Sequence, residues 1–77
     1  MREVCSFKYK DTQVTVYRCT NSDDSRFVHV HEYKGPMSHG SFNYFEGEPE
    51  LDLDDLHLML AVQKHLIERD EWLRSIV

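Results

Sequence analysis

Apolar and polar residues alternate along the first half of the chain, and the period becomes helical in the second half. In "EVCSFKYK", Cys5, Phe7 and Tyr9 fall on one side and Ser6, Lys8 and Lys10 on the other, which predicts a half-buried strand over about 3–10. "QVTVYRC" also alternates, with Val14 and Val16 opposed to Thr15, Tyr17 and Cys19, and predicts a second strand over about 13–19. The intervening "KDT" is a short polar turn. With Asp11 and Thr12 as its loop, Tyr9 opposes Val14 and Phe7 opposes Val16, so all four share a face as directly paired residues must. That register puts Cys5 and Cys19 on opposite faces, where no disulfide can join them.

"TNSDDS" is a loop of turn-forming residues. It leads into "RFVHVHEYK", a third strand over about 26–34 by its period of two. Val28 and Val30 point one way, and Phe27, His29, His31 and Tyr33 point the other. "GPMSHG" reads as a break, "SFNYF" as a short fourth strand over about 41–45, and "EGEPE" as a second break.

"LDLDDLHLMLAVQKHLIERDEWLRSIV" predicts a helix over about 53–76. Asp52 serves as N-cap, with Asp54 and Asp55 in the first turn, where acids complement the free N–H groups. Arg69 and Arg74 fall late, where cations suit the dipole. At about 100° per residue, Leu58, Met59, Val62, Leu66, Leu73, Ile76 and Val77 share one side. Leu56, Leu60 and Ile67 widen that arc on one flank, and His57, Lys64, Glu68, Glu71 and Ser75 lie opposite.

These elements assemble as a two-layer α+β domain over 1–77: a three- or four-stranded antiparallel sheet, a β-meander, with one long C-terminal helix packed on one face. The face with Cys5, Phe7, Tyr9, Val14, Val16, Val28 and Val30 is the more apolar. Burying each Val or Phe contributes roughly 1.5–3 kcal/mol, so the helix belongs there. The other face is then open, and its aromatics and histidines with few charges resemble the composition of interfaces.

Charge narrows the function. The formal net charge is −5, which disfavours a general polyanion binder and makes nucleic acid an improbable partner. Residues 1–40 carry six basic and five acidic groups, whereas 41–77 carry three basic and nine acidic, so the acidity belongs to the C-terminal half. No apolar run spans a bilayer, and "MREVCSFKYK" lacks a signal-peptide core. The expected setting is the cytoplasm, with Cys5 and Cys19 as free thiols and no membrane contact. At 77 residues the chain has one modest core, and a partner or a homodimer through the helix flank would stabilise it.

Three constellations carry candidate chemistry. His29 and His31, two apart on a strand, can share a metal ion, with Cys19 diagonal to His29 as a third ligand. No CxxC or HExxH accompanies them, and strand histidines are more often plain surface residues, so no metal or other cofactor is expected. Tyr17, Phe27 and Tyr33 on an open sheet can stack bases, with Lys8 and Lys10 near phosphates. In "FEGEPELDLDD", helix capping accounts for Asp52, Asp54 and Asp55, and Glu46, Glu48 and Glu50 remain as a docking surface or phosphate mimic. Trp72 sits near the polar boundary of the helix and suits an interface anchor. No nucleophile stands beside a base, so no catalysis is expected.

The leading expectation is a non-enzymatic protein-binding module, an inhibitor or adaptor acting through Tyr17, Phe27, His29, His31 and Tyr33, then Glu46, Glu48, Glu50 and Trp72. Its build is that of phage or mobile-element proteins that block host nucleases, polymerases or defence complexes. The alternative is a metal-binding or single-stranded nucleic-acid-binding module on the same histidine face. Histidines titrate near neutral pH, so binding through them should change between about pH 5 and 8.

Overall fold

The alternating segments form four strands in chain order, each antiparallel to the next: β1 (Arg2–Tyr9), β2 (Thr12–Thr20), β3 (Arg26–Lys34) and β4 (Met37–Phe45). A 3-10 turn (Pro49–Asp52) then leads into the helix α1 (Asp55–Ser75), which packs on one face. The computed structural model describes residues 1–76. This is the α+β meander that the periodicity implies.

The first hairpin differs from the expected register by two residues. Lys10 and Asp11 make the turn, Tyr9 faces Thr12 and Phe7 faces Val14. The Thr12 hydroxyl donates to the Tyr9 carbonyl at 2.8 Å, which makes Thr12 the first residue of β2 rather than part of the loop. Lys10 takes the left-handed conformation, φ 55°. A shift of two preserves side-chain parity, so the predicted faces survive the wrong register. A bulge between Glu3 and Cys5 then sets Arg2 opposite Arg18, and both reach the helix side. Cys5 lies opposite Val16 and Cys19 opposite Phe27, on the two different faces, and both thiols are free.

The fourth strand starts at Met37, four residues before the expected boundary. Only Gly35 and Pro36 form the break, with Gly35 at φ +62°. The remaining "MSHG" pairs with β3, and the extra residue, His39, sits at a bulge between the Glu32–Gly40 and Tyr33–Ser38 pairs.

The helix also starts later. Asp54, not Asp52, is the N-cap, and its carboxylate accepts from the His57 N–H at 2.8 Å. Proline at the start of the 3-10 turn draws Asp52 into that turn and leaves Asp54 extended at the helix entrance.

Val14, Val16, Val28 and Val30 are fully buried against Leu58, Val62 and Leu66, with Tyr44 and Leu51 closing the cluster. The valine face takes the helix, as its composition requires. Leu73 and Ile76, expected on the buried side, are exposed at 44% and 62%; Val77 lies outside the described residues. The reason is length. Asp55 meets Arg2 at one end of β1, and Asp70 meets Tyr9 at the other. Those fifteen helical steps span about 22 Å, which β1 matches at about 3.3 Å per residue. The helix beyond Asp70 therefore overshoots the sheet.

Polar groups on this side are tied between elements. Glu32, 2% exposed, accepts two hydrogen bonds from Arg69 at 2.8 and 3.0 Å, which holds its carboxyl below the usual range. Arg18 donates to Asp55 and to the carbonyls of Leu51 and Leu53. Tyr9 donates to Asp70 at 2.7 Å, and Lys10 pairs with the same carboxylate. No helix among the described residues is long and apolar enough to cross a membrane.

Candidate functional site

The face turned away from α1 collects the five predicted strand residues. Tyr17 lies opposite His29 and Cys19 opposite Phe27 on the β2–β3 ladder, while His31 and Tyr33 continue along β3. All five are half-buried, because each lies against its neighbours rather than in open solvent. Tyr17 stacks with His29 at 6.2 Å between ring centroids, and His29 meets His31 edge-on at 5.4 Å. His31 stacks on Tyr33 at 4.3 Å with the rings 4° from parallel. Phe27 packs against Phe45 of β4 at 6.3 Å.

A chain of hydrogen bonds fastens this row. His29 Nδ1 is 2.7 Å from Asn43 Oδ1, His29 Nε2 is 3.4 Å from His31 Nδ1, and His31 Nε2 is 2.8 Å from Ser38 Oγ. With both rings neutral the donors run one way. His29 Nδ1–H donates to Asn43, His31 Nδ1–H to His29 Nε2, and the Ser38 hydroxyl to His31 Nε2. Protonating both rings would instead set two N–H groups against each other.

Asn43 and Ser38 escaped the sequence reading. Ser38 lies in the segment whose glycines and proline predict a break, and Asn43 in a fourth strand to which the alternation gives no partner. Once β4 pairs with β3, parity places both on the histidine side.

Glu3 and Lys8 are the formally charged strand residues on this face. Beneath the row, Thr15 is 7% exposed, lying between Ser6 and His31 in the ladder, with its hydroxyl 3.3 Å from Ser6 Oγ. Lys10, expected near phosphates, instead turns to Asp70 on the helix side. Cys19 shares the face but does not complete a ligand set. No group of three metal-ligating side chains occurs among the described residues.

The other predicted residues lie elsewhere. Glu46 accepts from the Arg26 backbone N–H and guanidinium, which lowers its carboxyl. Glu48 accepts from the Phe45 N–H at 2.6 Å and so closes the turn after β4. Glu50 is half-buried and makes no ion pair among the described residues. Two of the three glutamates therefore have structural duties. Trp72 is exposed on the helix overshoot, away from the histidine row. Leu56, Leu60 and Ile67 form a separate exposed stripe on the helix.

No protein-family model, curated protein or solved structure matches this chain.

Proposed function

We propose that the protein is a non-enzymatic binding module that recognises another protein through the Tyr17–His29–His31–Tyr33 face. It would serve as an inhibitor or adaptor, and a phage or mobile-element protein that blocks a host nuclease, polymerase or defence complex has this build. The supporting observation is the fastened aromatic row. Its rings are held by Asn43 and Ser38 before any partner arrives, so binding them costs little side-chain entropy. A face rich in aromatics and poor in charge is the composition of an interface core. A second copy of the chain, docked on Leu56, Leu60 and Ile67, is a separate part of the proposal. Sedimentation showing monomer alone at high micromolar concentration would remove it.

Affinity capture from lysate of the source cell tests the main reading. His29→Ala/His31→Ala should lose the captured partner, and the triple Glu→Gln variant at 46, 48 and 50 should weaken it less. Retention of every partner by both variants would show that the surfaces are misassigned.

One distance favours a metal reading as the runner-up. The 3.4 Å between His29 Nε2 and His31 Nδ1 suits two nitrogens at about 2.0–2.1 Å from one tetrahedral ion. Such a pair would hold a zinc or copper ion loosely, with water completing the shell. Calorimetric titration with zinc that gives no heat would dispose of it.

A further inference from the structure

The opposite side of the sheet carries a second concavity. Because α1 is anchored along β1, the β4 side of the helix is left open. A groove of about 450 Å³ lies there, lined by Tyr44, Glu48, Glu50, Lys64, His65 and Glu68.

Tyr44 is the informative residue. It is 8% exposed, yet its hydroxyl has no hydrogen-bond partner among the described residues. Tyr44 is one of the residues that line the groove, and because no buried polar side-chain atom among the described residues lacks a partner, its hydroxyl reaches solvent, where a ligand can meet it. Burial and the nearby Glu50 and Glu48 push its ionisation up to about 12, which keeps the hydroxyl protonated at neutral pH.

The groove walls have one dominant sign. Glu50 has no ion-pair partner among the described residues, and Glu68 is 3.9 Å from Lys64. Glu48 uses one carboxylate oxygen on the Phe45 N–H. His65 stacks on Phe42 at 4.4 Å and meets Tyr44 edge-on at 6.2 Å, giving an aromatic wall. Carboxylates beside aromatic rings and an unpartnered phenol complement a guanidinium or ammonium group.

The strand beside the groove is uncharged. β4 is a sheet edge of nine residues, Met37–Phe45, with no Asp, Glu, Lys, Arg or Pro. The other edge, β1, carries Arg2, Glu3 and Lys8 and a bulge. Both edges carry a bulge, at His39 in β4 and between Glu3 and Cys5 in β1. Only β1 carries charges, and from Gly40 to Phe45 β4 has neither guard. Edge strands usually bear such charges or bulges to prevent pairing with another chain, and peptide recognition uses edges that lack them. On β4, alternate side chains of an added strand would project beside Phe42 and Tyr44, toward the groove.

We propose that β4 and this groove together bind an extended segment of a partner protein, which adds as a fifth strand and sets an arginine or lysine side chain against Tyr44, Glu50 and Glu68. This rests on the protein-binding reading but uses the side of the sheet opposite the histidine row, so the two surfaces fail separately.

The probes are synthetic eight-residue peptides of alternating threonine and valine, with one valine replaced by arginine, glutamine or glutamate. Amide chemical shifts are followed by NMR on the whole chain. The arginine peptide should shift the amides of β4 and Glu50 and bind about tenfold tighter than the glutamine peptide. Glu50→Gln/Glu68→Gln should erase that advantage, and His29→Ala/His31→Ala should leave it unchanged. Tyr44→Phe, which removes no internal hydrogen bond, should weaken the arginine peptide while the protein stays folded. Equal binding of the three peptides would overturn the proposal, as would shifts confined to the histidine face or no shift at millimolar peptide. Spermidine that binds without moving the β4 amides, where the arginine peptide also leaves them unmoved, would overturn the added strand.

Discussion

The two faces of the sheet hold their polar side chains in opposite ways. On the helix side the innermost polar groups reach another element: Glu32 to Arg69, Arg18 to Asp55, Tyr9 to Asp70. On the open side the side-chain bonds stay within the sheet, from His29 to Asn43, His31 to Ser38 and Gln13 to Ser6. The first set locks the helix onto the sheet and keeps buried charge paired. The second set shapes a surface without holding the layers together. Stability and binding should therefore separate by face.

The helix side should show the largest effects. Leu66→Ala opens a cavity under the valines and should cost about 2–5 kcal/mol in urea unfolding. Arg69→Ala should cost about 3 kcal/mol, because it strands a buried carboxylate. That sits at the low end for a buried pair, since the Arg69 side chain is 35% exposed. Replacing both partners, Glu32→Gln with Arg69→Met, should recover most of that loss. A double variant no better than the single one would show that packing, not the stranded charge, carries the cost.

Removing the N-cap should matter less. Asp54→Ala should lower the urea midpoint by less than Arg69→Ala does and leave partner binding unchanged.

Acid should attack the helix side first. The Arg2 and Arg18 guanidiniums hold the Asp55 carboxyl at about 2, and Arg69 holds Glu32 below its ordinary value. Groups depressed on folding stabilise the protein above their unfolded pKa and lose that contribution as pH falls through the folded value. Stability should thus be full at neutral pH and decline below about pH 4.5, through the window that ends near pH 2 for Asp55. Asp55→Asn and Glu32→Gln should each flatten that acid limb.

The open face should show the smallest stability effects. His29→Ala and His31→Ala should each stay within about 0.5 kcal/mol of wild type. A loss as large as that of Arg69→Ala would erase the distinction between the faces.

Much of this was legible in the chain. Parity alone assigned Val14, Val16, Val28 and Val30 to the core and Tyr17, His29 and His31 to the other face. It survived a hairpin register wrong by two, because an even slip changes no faces. In the sequence Arg69 is assigned to the helix dipole alone and Arg18 and Glu32 are unassigned, although parity sets those two with the valines and about 100° per residue sets Arg69 beside Val62 and Leu66. Other features depend on three-dimensional lengths and turns. The helix overshoot follows from matching α1 to β1, which needs their alignment. Gly35 and Pro36 looked like the start of a longer break, so Ser38 was lost from the site. Tyr44 in "SFNYF" gave no local sign that its hydroxyl would be left without a partner.

The most direct test of the account is the affinity of a purified, captured partner for three forms of the protein: wild type, His29→Ala/His31→Ala and Asp54→Ala. The account predicts that the histidine variant unfolds like wild type yet loses at least tenfold in affinity, about 1.4 kcal/mol, while Asp54→Ala loses stability and keeps its affinity. Wild-type affinity in the histidine variant, with loss in the N-cap variant, would contradict it.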